Sequence, residues 1–356
     1  MKNLVLLFVV SALLFACGGQ KAKTETMADQ DTLKFANEKH IKNVKMLTDD
    51  GENAEAYFAY DKDKIIFQST HGDFQCDQIF TMNFDGSDVK LVSTGKGRTT
   101  CSYFLPGDQK IIYASTHGTD PNCPPKPDYS KGYVWKVYST YDFYVANSDG
   151  SDPQPFLPAD GYDAEATVSP KGDKIVFTSQ RDGDLDIYTV NIDGTDLKRL
   201  TTELGYDGGP FFSWDGTKIV YRSYHPKTED EINRYKELLS EELIEPSNFQ
   251  IMVMNADGTN KRQITHNEYA NFAPFYLPDD KRIIFCSNIN SKNPGMPDFN
   301  LWIINEDGTG LEQITYFDGF DGFPMFTADG KKLIFASNRF NKHPRDTNVF
   351  LADWVD

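Results

Sequence analysis

One short pattern recurs six times along this chain, and it leaves few folds open. Apolar triplets stand at 65–67 (IIF), 111–113 (IIY), 175–177 (IVF), 219–221 (IVY), 283–285 (IIF) and 333–335 (LIF). Each follows a polar turn such as GDQK or DGTK. Each precedes, by one residue, a serine: Ser69, Ser115, Ser179, Ser223, Ser287 and Ser337. Downstream, alternating segments such as DIYTVNIDGT and QIMVMNADGT run into an Asp-Gly pair, the signature of a strand entering a hairpin. A short strand such as LKRLT completes the unit, a four-stranded antiparallel meander.

Repeated meanders of this length predict an all-β fold, a six-bladed β-propeller of four-stranded antiparallel blades around a central channel. The sixth unit stops at NVFLADWVD without a fourth strand, whereas NVKMLTD at 43–49 matches the pattern of DLKRLTT at 196–202. The N-terminal strand is therefore expected to close blade six and protect both sheet edges at the seam. The propeller would span 41–356, with insertions at about 118–141 and 226–248. The second insertion contains EDEINRYKELLSEEL, whose Ile232, Tyr235, Leu238 and Leu239 fall at helical spacing.

The repeat, seen best in YDAEATVSPKGDKIVFTSQRDGDLDIYTVNIDGTDLKRLT (162–201), resembles that of the TolB-like propeller family. The resemblance covers residues 43–356 and implies the propeller fold and a protein-interaction scaffold. It leaves no room for the α/β domain that precedes the propeller in TolB itself. Oligogalacturonate lyases look similar, being propellers with TolB-like repeats and a histidine-bound metal, although their dense histidine–glutamine cluster is not recognisable here.

Residues 1–16 read as a secretory signal: Lys2, a short apolar stretch, then Leu14-Phe15-Ala16 before Cys17. The apolar stretch is too short to span a bilayer. Leu-Phe-Ala-Cys resembles the bacterial lipobox, which implies lipidation of Cys17. Residues 17–40 read as the lipidated cysteine and a polar tether. The expected location is thus the bacterial cell envelope, on the periplasmic or the surface side, with the membrane contacted through the lipid anchor alone. A formal net charge of −17 argues against nucleic acid as a partner. Of the remaining cysteines, one disulfide among Cys76, Cys101 and Cys123 would pin the blade-two loop, and Cys286 reads as a buried thiol.

In a meander a–b–c–d, strand a starts on the face where strand b ends. The b–c loops and both insertions share that face, and the Asp-Gly turns take the other. At the end of strand b the sequence places His71, His117, Arg181, His225 and Arg339; at the start of strand a it places Asp163, Asp207 and Asp321. Two residues on, strand alternation would aim Glu55 and Glu165 the same way. Carboxylates about 4 Å apart repel by about 4 kcal/mol at an effective dielectric of about 20. Arg181 and Arg339, a divalent cation or a cationic ligand would then have to sit at this mouth. Tyr133 and Trp135 of the first insertion add aromatic surface there. Two functions fit. One is a non-enzymatic scaffold that binds an envelope protein, peptide or glycan through these residues. The other is a metal-dependent, polysaccharide-active enzyme with His71, His117 and Glu55 as metal ligands. No catalytic residue is assigned and no cofactor is required.

Overall fold

The computed structural model describes residues 31–292 and 298–356. The signal segment, Cys17 and the tether as far as residue 30 lie outside the described residues. Six four-stranded antiparallel sheets form the blades. Strands a to d of blade one are Asn53–Phe58, Lys64–Ser69, Gln78–Asn83 and Lys90–Leu91. Blade two has Thr99–Phe104, Lys110–Ser115, Asp142–Asn147 and Gln154–Phe156; blade three has Asp163–Val168, Lys174–Ser179, Asp186–Asn191 and Lys198–Arg199. Blade four has Tyr206–Phe212, Lys218–Tyr224, Gln250–Asn255 and Arg262–Gln263; blade five has Asn271–Tyr276, Arg282–Ser287, Asn300–Asn305 and Glu312–Gln313. Blade six has Asp321–Phe326, Lys332–Ser337 and Asn348–Trp354, and Ile41–Met46 pairs with the last of these as strand d. The expected closure is therefore present.

Strand b lies inside its sheet, and each sheet packs against two others. Both of its faces are dry, which is why it reads as a continuous apolar run: Ile65, Ile66 and Phe67 are buried, as are Ile283, Ile284 and Phe285. Strand a behaves differently. In every blade the a–b register slips between its early and late residues, as between Ala54 and Tyr57. The residue at the slip has a left-handed backbone: Glu55, Cys101, Glu165, Gly209, Ala273 and Phe323, with φ between 49° and 62°. A bulge bends the strand and re-aims one side chain. For the five residues other than glycine it costs about 1–2 kcal/mol each.

The stretch read as tether needs one correction. Residues 31–40 are built into the propeller: Glu38 is fully buried, and Phe35 stacks between Phe317 and Phe340. An acidic residue in a polar run looks solvated until an arginine from elsewhere in the chain meets it, and Arg339 does so here.

The two insertions meet. Trp135–Lys136 and Leu243–Ile244 pair as a two-stranded ribbon. Helix α1 (Glu229–Ser240) is capped by Thr228 with Glu231 and buries Tyr235 and Leu238, on the apolar stripe expected from sequence. Lys131 pairs with Glu241 and Lys136 with Glu242, which joins the insertions further. The Cys76–Cys123 disulfide, with Cα atoms 5.8 Å apart, ties the first insertion to the b–c loop of blade one. Cys101 and Cys286 are free and buried.

Candidate functional site

On the b–c face, the residues singled out from sequence mostly pair within their own blades. The recurrent serine turns the chain: Ser69, Ser115, Ser179, Ser287 and Ser337 accept the backbone N–H two residues on. Arg181 donates to Ser179 and to both oxygens of Asp163, at 3.0 and 3.1 Å. Arg339 pairs with Asp321 at 2.6 Å and with Glu38 at 2.8 Å, and all three are fully buried. His225 faces Asp207 at 3.2 Å and Glu203 at 3.1 Å. Burial works against its imidazolium, but these carboxylates outweigh it and raise the pKa. The expected need for positive charge is thus met inside each of these blades.

The histidines do not converge. His71 is exposed, 3.7 Å from Asp50. His117 sits 2.7 Å from Ser115 Oγ and over the ring of Tyr144, where burial and then Lys96 lower its pKa. Glu55 is in neither environment. Among the described residues no group of three His, Cys, Asp or Glu side chains could hold a metal ion. The set His71, His117 and Glu55 therefore does not fit one. Of the two aromatics named from sequence, Tyr133 is exposed and Trp135 is packed edge-on against Phe249 and Phe272.

Glu55 and Glu165 are not at the mouth with Asp163. The bulge breaks the alternation and sends them into the channel, where they line a cavity of ≈ 20 Å³ with Cys101, Gly209, Arg222 and Phe323. That is room for one water. Arg222 pairs with Glu165 and donates to Tyr206 Oη at 2.7 Å. An added Cβ on Gly209 would lie 2.3 Å from Arg222 Nη1, so the guanidinium needs a glycine there. Burial first, then the Glu165 charge, raises the Glu55 pKa; Tyr57 Oη donates to it at 2.9 Å. Burial and then Glu55 raise the Cys101 thiol well above its ordinary value, which leaves it a poor nucleophile.

Aromatic rings flank the chamber on both sides. Towards the insertions, Trp135 lies over the Arg222 guanidinium at 5.4 Å. On the other side, Tyr57 of blade one and Phe211 of blade four meet across the axis with ring centroids 5.7 Å apart. Sequence reading passed over Arg222, although the residue before the recurrent serine reads Gln68, Ala114, Thr178, Arg222, Cys286, Ala336. One charge in a neutral column was the signal.

An open funnel of ≈ 730 Å³ lies on the Asp-Gly-turn face. Its wall is aromatic: Phe58, Tyr60, Phe84, Tyr103, Trp214 and Phe326. The a–b turns supply its rim, including Asp61, Lys62 and Asp63 of blade one and Asp329, Lys331 and Lys332 of blade six. The buried Asp108 carboxylate shapes the blade-one turn by accepting the N–H groups of Tyr60, Asp61 and Lys62 at 2.8–3.0 Å. No residue of this funnel was singled out from sequence, because turn residues look alike until the ring gathers them.

Asp163 offers a test of the blade-three pairing. Burial pushes its carboxyl up to about 6, although Ser179 and Arg181 act in the opposite sense. A carboxyl whose pKa is raised on folding destabilises the fold once it ionises, so its cost is absent below the unfolded value and grows as pH rises towards the folded one. Asp163→Asn cannot ionise. Its stability relative to the parent should therefore rise by up to about 3 kcal/mol between about pH 4 and about pH 6.5, read from urea midpoints. A flat difference across that range would show the carboxyl to be unperturbed.

No protein-family model matches the sequence, and no curated protein sequence matches it. Solved structures do. The structure of a putative TolB from Agrobacterium tumefaciens is 17% identical, with a TM-score of 0.54, covering 86% of this chain and 91% of that one. An oligogalacturonate lyase in complex with manganese is 14% identical, TM-score 0.51, covering 88% and 93%. An oligogalacturonate lyase from Vibrio parahaemolyticus is 13% identical, TM-score 0.50, covering 87% and 93%. At such identities the likeness is one of fold.

Proposed function

We propose that this six-bladed propeller of TolB-like fold is a non-enzymatic binding protein of the bacterial cell envelope, engaging a protein, peptide or glycan at a channel mouth. The N-terminal signal and Leu-Phe-Ala-Cys sequence support export and a lipid anchor at Cys17. Among the described residues no helix is long and apolar enough to cross a membrane. The observation that carries the binding reading is the contrast between the two faces. On the insertion side Trp135 lies against the Arg222 guanidinium, and Arg181 and Arg339 are tied to carboxylates of their own blades. On the other side an aromatic funnel of ≈ 730 Å³ stands open, within the usual size range of ligand sites.

The lyase-like alternative needs a histidine-bound metal, and the histidines of this chain lie in separate environments. The binding reading predicts that Tyr60→Ala with Trp214→Ala weakens capture of an envelope partner about 30-fold or more, the loss of about 2 kcal/mol typical of a central aromatic anchor. His71→Ala with His117→Ala should leave capture unchanged. The measurement is pull-down from envelope extract with thermal melting as the folding control. Capture that survives the funnel variant but disappears with the histidines would move the site to the insertion face.

A further inference from the structure

We infer that the funnel takes a basic, linear peptide segment of a partner protein, one that presents Lys or Arg next to an apolar side chain. This rests on the funnel being the binding site. The first argument is charge. Of the lysines on the rim, Lys331 pairs with Asp329 at 3.1 Å and Lys332 with Asp353. Lys62 donates to the backbone carbonyl of Asp108 at 3.0 Å. Asp61 and Asp63 are exposed, and among the described residues their side chains have neither an ion pair nor a hydrogen bond. Three aspartates and three lysines line the rim; with Lys332 drawn to Asp353, and the Lys62 charge, met only by a neutral carbonyl, set against one of the two free aspartates, one net negative charge remains, on a chain whose net charge is −17. A cationic segment is steered towards such a rim, and an anionic one is repelled.

The second argument is the wall. Tyr60 is 37% exposed at the lip, and Trp214 stands in the wall with its indole N–H already committed to the carbonyl of Tyr276 at 3.0 Å. Trp214 thus offers a ligand ring surface, and Tyr60 its ring with a hydroxyl; such rings suit an apolar side chain and attract a guanidinium or ammonium group. The third is depth. Tyr57 and Phe211 meet across the axis with ring centroids 5.7 Å apart, which narrows the channel behind the funnel. The volume admits a few side chains of an extended segment, not a folded domain. An acidic oligosaccharide would place its carboxylates against Asp61 and Asp63, which disfavours the uronate class of ligand at this face.

The test uses the full mature chain and two fluorescein-labelled probes, acetyl-Lys-Leu-Trp-Arg-amide and its acidic counterpart acetyl-Glu-Leu-Trp-Glu-amide, followed by fluorescence polarisation at low and high salt. The basic probe should bind, weaken with salt, and lose at least about tenfold in affinity in Asp61→Asn/Asp63→Asn; the acidic probe should not bind. Both aspartates are exposed turn residues, so this variant should melt with the parent. Equal binding of the two probes, or no effect of the asparagines, overturns the basic-segment inference. It leaves the funnel reading intact if Tyr60→Ala/Trp214→Ala still abolishes partner capture. Binding of a neutral chito-oligosaccharide in place of either peptide likewise overturns the inference while keeping the site. If the aromatic variant changes neither probe binding nor capture, the funnel reading itself fails.

Discussion

A chain lacking residues 31–46 should not fold cooperatively. Ile41–Met46 is strand d of blade six, paired from Ile41 opposite Trp354 to Met46 opposite Phe350. Its removal uncovers Ile41 and Val44, both buried, at about 1.5–3 kcal/mol for each large apolar side chain. It also strips the backbone partner from one edge of Asn348–Trp354 and takes Glu38 away from Arg339. Together these approach or exceed the roughly 5–15 kcal/mol that holds a typical domain folded. The ring loses its seam as well, and the bared edge is a template for association. Calorimetry should show no sharp transition, and sedimentation should show aggregates. A synthetic peptide of residues 31–46, added to the truncated chain, should restore the transition. A truncated chain that melts like the parent would mean that the seam closes without this strand.

Arg339→Met should cost about 3–5 kcal/mol at neutral pH, the usual penalty for removing one member of a buried ion pair. The guanidinium sits between Asp321 and Glu38 with no exposure of any of the three, and aromatic rings surround it, with Phe35 at 5.1 Å and Phe335 at 5.2 Å. Methionine fills the apolar space but leaves two carboxylates facing each other out of water. Burial already raises the Asp321 pKa against the pull of Arg339. Without the arginine that carboxyl rises further. A carboxyl raised in the folded state takes up protons on folding, so the variant should recover part of its loss as pH falls towards about 5. Adding Asp321→Asn and Glu38→Gln to Arg339→Met should recover most of it at neutral pH, since the buried charge is then gone rather than orphaned. Denaturant midpoints of the single and triple variants at two pH values decide this. Equal losses in both would assign Arg339 a packing role only.

The blades were legible because their pattern is local. A both-faces-buried strand b must be apolar throughout, which six copies repeat, and the hairpin after strand c carries an Asp-Gly turn in five of them. Closure by the N-terminal strand was legible for the same reason, since residues 43–49 carry the strand-d pattern out of place. The site was legible only in part. Strand alternation put Glu55 and Glu165 beside Asp163, but a bulge in every strand a turned them into the channel. Alternation is a rule for regular strands, and the curvature of the ring's inner wall breaks it. Arg181, Arg339 and His225 read as a converging cluster, yet each was satisfied by the aspartate of its own blade.

The sequence by itself determined what depends on neighbours in the chain: six meanders, their Asp-Gly hairpins, the short helix of the second insertion and the order of strands around the ring. Tertiary structure decided what depends on distance through space. It chose Cys76 and Cys123 over Cys101, brought the two insertions together as a ribbon, and buried Glu38 against an arginine about three hundred residues away. It also gathered turn residues from several blades into one aromatic funnel. Periodicity records which face of a strand is dry, because that is set by alternating residues a few ångströms apart. It does not record which distant charge will neutralise a buried carboxylate, or which end of a channel is left open.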